Sequence, residues 1–171
     1  MVVLLRGVNV GGRTSLPMAD LRHTATALGF DEVSTYIQSG NLLCRTTRSA
    51  TTVAEDLASA LAARPGVSPA VVVRTRAQLA KVAAGNPFTA DGADPAHVHV
   101  LFCEDRASRV LAAINGRAYL PEQARAVGKE LYLHLPNGVG RSKLAVAVGK
   151  QGTLRSWKTV TTLLELADGM G

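Results

Sequence analysis

Glu32-Val33-Ser34-Thr35-Tyr36-Ile37-Gln38-Ser39-Gly40-Asn41-Leu42-Leu43-Cys44-Arg45 is the stretch that decides the fold. Its front half, Glu32 to Gln38, is β-branched and aromatic, Ser39-Gly40 is a turn pair, and Asn41 to Arg45 returns as a second strand. The segment therefore predicts a β-hairpin. Upstream, Val2 to Leu5 is a β-rich run that breaks into a glycine-rich, basic turn, Arg6-Gly7-Val8-Asn9-Val10-Gly11-Gly12-Arg13. A helix follows from about Pro17, with Met18, Leu21, Ala25 and Leu28 on one face. Proline suits its first turn and Gly29 its end. Downstream, Thr52-Val53-Ala54-Glu55 has capping-box spacing and opens a helix with Val53, Leu57, Ala60 and Leu61 inward. Arg64-Pro65-Gly66 ends it, and Pro69 to Thr75 is again β-branched. The order β-α-β-β-α-β over residues 1–75 is the split-βαβ, or ferredoxin-like, arrangement.

Residues 76–171 read as a looser copy. Thr75 to Gln78 has capping-box spacing for a helix carrying Leu79 and Val82 and ending at Asn86-Pro87. A loop from Thr89 to Pro95 leads to a strand from His97 to Cys103. Asp105 is placed to cap a helix with Val110, Leu111 and Ile114. Gln123 to Val127 and Glu130 to Leu135 form a hairpin around Gly128-Lys129. Pro136-Asn137-Gly138-Val139-Gly140 is a sharp loop, and Ser142 to Val148 a short helix. From Thr153 a last helix sets Trp157, Val160, Leu164 and Ala167 on one side, standing where a sixth strand would complete the second half. The fold class expected is α+β, two ferredoxin-like halves, the second divergent and extended by a C-terminal helix.

Composition bounds the function. A chain of 171 residues with 47% hydrophobic and 19% charged residues buries a real core and is not a disordered one. No apolar run approaches a membrane span, and the N-terminus lacks the layout of a signal peptide, so the expected address is cytoplasmic. Cys44 and Cys103 each sit in an apolar strand-like run and read as small buried hydrophobes. The net charge of +6 and a pI near 9.8 favour anionic partners. Between Glu130 and Glu165 no acid occurs, while Arg141, Lys143, Lys150, Arg155 and Lys158 all fall there.

Leu4-Leu5-Arg6-Gly7-Val8-Asn9-Val10-Gly11-Gly12, Tyr36-Ile37-Gln38-Ser39-Gly40-Asn41, Asn86-Pro87-Phe88, Gly140-Arg141-Ser142-Lys143-Leu144 and Arg155-Ser156-Trp157-Lys158-Thr159-Val160 come in this order. Together they resemble the bacterial family catalogued as domain of unknown function 1697. The resemblance implies an α+β protein of two ferredoxin-like halves and no established activity. It also marks a departure: where the family's last block has two asparagines, this chain has Ser156 and Lys158.

The candidate site residues come from the polar, glycine-rich blocks. Arg6 closes an apolar strand, where a guanidinium needs a partner or a ligand. Asn9, Gln38, Ser39 and Asn41 supply amides and a hydroxyl beside glycines that let a ligand approach backbone closely, although Ser-Gly-Asn is also ordinary hairpin chemistry. Asn137 to Lys143 is a glycine-rich loop entering a helix, where free N–H groups, Arg141, Lys143 and the Ser142 hydroxyl suit an anion. The bland alternative is a tight turn with Ser142 as N-cap. Arg155 adds charge nearby in sequence. His97 and His99 alternate on a predicted strand and share a face, but no third ligand has suitable spacing, so no metal is expected. No cofactor is implied. The Val2–Leu5 strand carries no aromatic for base stacking, which argues against an RNA-recognition-motif mode and leaves phosphate contacts.

The leading functional reading is a binding protein for an anionic ligand, a phosphorylated small molecule or a nucleic-acid backbone, held by Arg6, Asn9, Gln38, Ser39, Asn41, Arg141, Ser142, Lys143 and Arg155. A second is an enzyme on a phosphorylated or carboxylated metabolite, with Lys143 or Arg155 stabilising developing charge. A third is a self-association module, forming a homo-oligomer through sheet edges, in which the glycines are purely structural.

Overall fold

The structure is a computed structural model and describes residues 1–9, 15–64, 67, 69–104 and 106–170. The fold is α+β, built on two four-stranded antiparallel sheets, and the chain divides into two compact units, Met1–Leu79 with Leu163–Gly171, and Ala80–Thr162.

The first unit runs β1 (Val2–Arg6), α1 (Met18–Ala27), β2 (Asp31–Tyr36), β3 (Asn41–Arg45), α2 (Ala50–Ala62) and β4 (Ala70–Arg74). The strands lie in the order β2-β3-β1-β4, the ferredoxin-like order. β1 is central and buried on both faces, which is why Val2 to Leu5 is an unbroken apolar run rather than an alternating one. Val3 and Leu5 face α1 and α2, meeting Leu21, Ala25, Val53, Leu57 and Leu61 in one core cluster. The i, i+4 spacing of Val53, Leu57 and Leu61 makes them one stripe of α2. Ser49, not Thr52, caps that helix: its hydroxyl accepts from Thr52 N at 3.1 Å. The capping box expected at Thr52 thus lies inside the helix, because Ser49 offers the same chemistry one turn earlier. β2 is shorter than expected, ending at Tyr36, since Ile37 takes a left-handed φ of 49°.

The second unit contains most of α3 (Arg76–Ala84) and α4 (Pro87–Ala90), then β5 (Val98–Cys103), α5 (Ala107–Ala112), β6 (Gln123–Val127), β7 (Glu130–His134), α6 (Lys143–Val148) and β8 (Gly152–Ser156). α3 opens with the expected reciprocal box: Gln78 N donates to Thr75 Oγ1 at 3.1 Å and Thr75 N to Gln78 Oε1 at 2.9 Å. Its sheet order, β6-β7-β5-β8, repeats the first. β8 corrects the sequence reading, in which Thr153 began the last helix. Residues 152–156 instead pair in register with β5, from Cys103↔Gly152 to His99↔Ser156, so the sixth strand is present. Gly152 is there for close approach, because a Cβ would sit 2.3 Å from the Phe102 carbonyl oxygen. α7 (Trp157–Asp168) starts one turn later, with Ser156 Oγ accepting from Thr159 N at 3.2 Å. Ser156, one of the two departures from the resemblance, thus performs an N-cap role. Trp157, read from the sequence as core, is only half-buried.

Smaller differences have equally local causes. The loop expected from Thr89 is preceded by the short α4, capped by Asn86, whose Oδ1 accepts from Phe88 N at 3.0 Å. His97 lies in a 3-10 turn, Pro95–His97, so it does not share a strand face with His99. Asp105 falls outside the described residues, and Arg106 stands at the N-cap of α5. Cys44 and Cys103 are free and buried, as expected. Among the described residues, no helix is long and apolar enough to cross a membrane.

Candidate functional site

Antiparallel pairing of β1 with β3 sets Leu4 opposite Asn41, so the C-terminal end of β1 and the β2–β3 turn share one end of the first sheet. Leu5 N donates to Gly40 O at 2.8 Å. Two glycine-rich blocks distant in sequence therefore meet. The clasp between them is Asn9, held in a left-handed conformation at φ 56° that asparagine tolerates better than most residues. Its Nδ2 donates to Leu16 O at 2.9 Å and to Gln38 O at 2.8 Å, and its Oδ1 accepts from Leu16 N at 2.8 Å. One side chain thus closes the connection from β1 to α1 and ties it to the hairpin turn.

Asn41 does the same work from inside. It is fully buried, and its Nδ2 donates to Tyr36 O at 3.1 Å and Ser39 Oγ at 2.9 Å. Gly40 is held at φ 75°, and a Cβ there would lie 2.6 Å from Val8 Cγ2 and 2.8 Å from Leu5 Cβ. Asn9, Gly40 and Asn41 are accordingly the frame. What the frame presents is different: the exposed Gln38 side chain, the half-buried Ser39 and Arg6, and Ile37, which is 51% exposed at φ 49°. A β-branched residue in that conformation costs about 1–3 kcal/mol and persists only where its surroundings impose it. Arg6 ends β1 opposite Ala70, on the face away from α1 and α2. It is half-buried and has an intramolecular interaction. Gly11, Gly12 and Arg13, which continue this block in sequence, lie outside the described residues.

In the second unit the glycine-rich loop leads into α6 as expected, with a 3-10 turn at Val139–Arg141. The helix N-terminus, however, already holds the chain's own groups. Ser142 Oγ accepts from Ala145 N at 2.8 Å, and the buried Glu122 carboxylate accepts from Leu144 N at 2.9 Å. Ser142 itself is 2% exposed. What remains on the surface is Arg141 and Lys143, both exposed and, among the described residues, without an ion-pair partner. Arg155 is buried on β8, where Nη1 donates to Thr153 Oγ1 and Leu154 O, both at 2.9 Å. Burial lowers its pKa to about 10.

Two buried features were not singled out as site residues from the sequence. Glu122 gave no signal, because a lone acid before a strand looks solvated until the fold brings α6 to it. Asn86-Pro87-Phe88 forms a second clamp: the Phe88 ring lies 5.7 Å from His134, centroid to centroid, and under the Arg125 guanidinium at 4.6 Å. Arg125 also pairs with Asp91 at 2.5 Å. Asn86 Nδ2 and His99 Nδ1 are buried without a hydrogen-bond partner, and burial pushes the His99 imidazole below its usual range. Among the described residues, no three His, Cys, Asp or Glu side chains gather as a metal-holding group.

Comparison with other proteins agrees with this architecture. The model of a family described as protein of unknown function (DUF1697) matches residues 1–132. Three of the blocks named above fall inside that span, while the Gly140–Leu144 and Arg155–Val160 blocks lie beyond it. The structure of conserved bacterial protein SP0830 from Streptococcus pneumoniae superposes with a TM-score of 0.73 at 22% identity, covering 97% of each chain. That likeness shows the fold. No curated protein matches the sequence.

Proposed function

The chain belongs to the DUF1697 family, and we propose that it binds an anionic, phosphate-bearing ligand at the end of its first sheet. The observation that carries the reading is the meeting of the two blocks: Asn9 donates to Gln38 O, and Leu5 N to Gly40 O. The equivalent turn of the second unit is held by backbone bonds, Cys103 N to Lys129 O and Ala107 N to Gly128 O, whereas in the first unit a side chain, Asn9, makes the link to Gln38. Here the bracing holds Arg6, Gln38 and Ser39 at one rim, beside strained backbone at Ile37. Strain of this kind collects at ligand sites, where preorganisation lowers the cost of binding. Charge selects the ligand's sign, since the protein carries +6, and an arginine fork matches phosphate oxygens two at a time. In the second unit, Arg141 and Lys143 offer exposed charge, whereas the α6 N-terminus is occupied by Glu122 and Ser142.

Thermal shift against inorganic phosphate, nucleotides, sugar phosphates and a single-stranded oligonucleotide tests this. Binding to the folded state raises the melting temperature, and the arm that responds separates small phosphates from a nucleic-acid backbone. Arg6→Ala is expected to abolish the shift and Gln38→Ala to reduce it. Arg141→Ala with Lys143→Ala assigns any residual salt-sensitive binding to the second unit. If no phosphate-bearing compound shifts the parent protein, or if Arg6→Ala leaves the shift intact, the reading is wrong.

A further inference from the structure

β6 is an outer strand of the second sheet. β7 pairs with one of its edges, and among the described residues no strand pairs with the other. Sheet edges are usually blunted by bulges and charges. β2, the outer strand of the first sheet, is blunted in this way, with a bulge between Asp31 and Ser34 and two acids at its start. β6 keeps an unbroken register from Gln123 to Val127.

Its side chains make the edge accommodating. Ala124 and Ala126 share the face packed on the α5–α6 core cluster. Because both are short, a hollow opens beside each. The first, about 500 Å³, has Ala124, Ile114 and Leu120, the last 67% exposed, as its apolar lining and Asn115, Arg117, Gln123 and Arg125 as its polar lining. Glu122 also lines it, with its carboxylate bound to Leu144 N. The second, about 350 Å³, is bounded by Ala126, Arg106, Ser108, Gly128 and Lys129. Same-face positions along a strand recur every ~7 Å. The hollows therefore have the spacing of residues i and i+2 of a strand laid along β6.

We infer that the outer edge of β6 takes an extended peptide segment by strand addition, with an acidic side chain meeting Lys129 in the hollow beside Ala126 and an apolar side chain two residues later in the hollow of Ile114 and Leu120. Main-chain hydrogen bonds supply affinity in this mode, and alternate side-chain pockets supply specificity. The order follows from direction. Every pairing in this sheet is antiparallel, and a strand antiparallel to β6 passes Ala126 before Ala124. The signature is acidic, any residue, apolar.

A second copy of this chain is the wrong occupant. Antiparallel pairing of β6 with itself about its middle residue sets Arg125 against Arg125, and the strand contains no acid to offer the hollow of Lys129. Like charges facing across strands destabilise the pairing. The partner is a segment of another protein, and its acid is what Lys129 selects.

The test uses the full chain and fluorescence anisotropy with three labelled, end-blocked peptides: Thr-Thr-Glu-Thr-Leu-Thr-Thr, its Glu-to-Lys counterpart, and the reversed order Thr-Thr-Leu-Thr-Glu-Thr-Thr. The first is expected to bind about five- to tenfold more tightly than the second, as removal and reversal of one ion pair predict, and more tightly than the third. Lys129 is an exposed turn residue, so Lys129→Glu keeps the fold and is expected to invert the Glu/Lys preference. Ala124→Leu fills the hollow beside Ile114 and Leu120 and is expected to weaken the Glu peptide severalfold. Hydrogen exchange is expected to slow at β6 amides when the first peptide binds. The inference is overturned if none of the peptides binds, if Lys129→Glu leaves the preference unchanged, or if the unliganded protein sediments as a dimer with β6 protected.

Discussion

Gly40→Ala is the substitution whose cost the structure fixes most closely. Two penalties add at this position. The backbone sits at φ 75°, where an L residue costs about 1–2 kcal/mol. The new methyl would then stand 2.6 Å from Val8 Cγ2 and 2.8 Å from Leu5 Cβ. Val8 is 1% exposed and Leu5 Cβ is fixed to β1, so neither can swing aside. Relief requires β1 and the hairpin turn to separate, which also stretches the Leu5 N to Gly40 O bond. Overpacking of this kind costs about 1–3 kcal/mol, so the total is about 2–5 kcal/mol. Gly7 is the internal control. It has nearly the same dihedral, φ 78°, but nothing lies within 4 Å of a Cβ there, so Gly7→Ala costs only the dihedral term, about 1–2 kcal/mol. Urea unfolding followed by far-UV circular dichroism measures both, and Gly40→Ala is expected to lower the midpoint clearly more than Gly7→Ala. Equal losses would refute the close packing of the two blocks.

Asn9→Ala removes three hydrogen bonds, one of them exposed, and is expected to cost about 2 kcal/mol. In hydrogen exchange, the Leu16 amide that donates to Asn9 is expected to lose protection before β1 does. Glu122→Ala strands the Leu144 N–H and is expected to cost about 1–3 kcal/mol in urea midpoints, against about 1 kcal/mol for Ser142→Ala; a larger loss for Ser142→Ala would make the serine, not the carboxylate, the main cap. His99 supplies a pH dependence with a definite sign. Burial lowers its folded-state pKa below 6.5, so below that pH the unfolded chain takes up a proton that the native imidazole resists. Stability is complete above about 6.5 and is lost as pH falls toward the lower native pKa. His99→Leu, beside Leu101 and Leu133 on the same face, is expected to flatten the stability profile between pH 6.5 and 5.

The strands and helices of the first unit were legible because each is written in a single local code. Val53, Leu57 and Leu61 carry the helical period, and Leu42 to Cys44 after Ser39-Gly40 carries the hairpin. β8 was not legible. In Gly-Thr-Leu-Arg-Ser the polar residues are the buried ones: Thr153 and Arg155 share the buried face and bond to each other, while Leu154 is only half-buried. Gly152 looked like punctuation, whereas its purpose is contact with the β5 backbone. The polar blocks were legible as special, but their division of labour was not. Asn9, Asn41 and Ser142 have the composition of ligand-binding residues, yet their polar atoms are engaged by backbone and by Ser39. Whether an amide faces a ligand or its own chain depends on contacts tens of residues away, such as Asn9 with Gln38.

The repeated topology also explains why the two units place their polar groups as they do. In both, the end of the first strand bonds to the hairpin turn: Leu5 N to Gly40 O at 2.8 Å, and Cys103 N to Lys129 O at 3.1 Å. Arg6 and Glu104 therefore occupy equivalent places, as do the Ser39-Gly40 and Gly128-Lys129 turns. The difference lies in what comes next. Residues 7 to 17 separate β1 from α1, long enough for Asn9 to fold back and brace the turn. Only residues 104 to 106 separate β5 from α5, so that connection has no length for a clasp, and Ala107 N instead bonds directly to Gly128 O at 3.4 Å. A short connection keeps the helix start against the turn and leaves the hollow of Arg106, Ser108 and Lys129 open beside β6. The same end of one fold is thus braced by the Asn9 side chain in the first unit, and in the second is left as a hollow beside Arg106 and Lys129 on a strand edge.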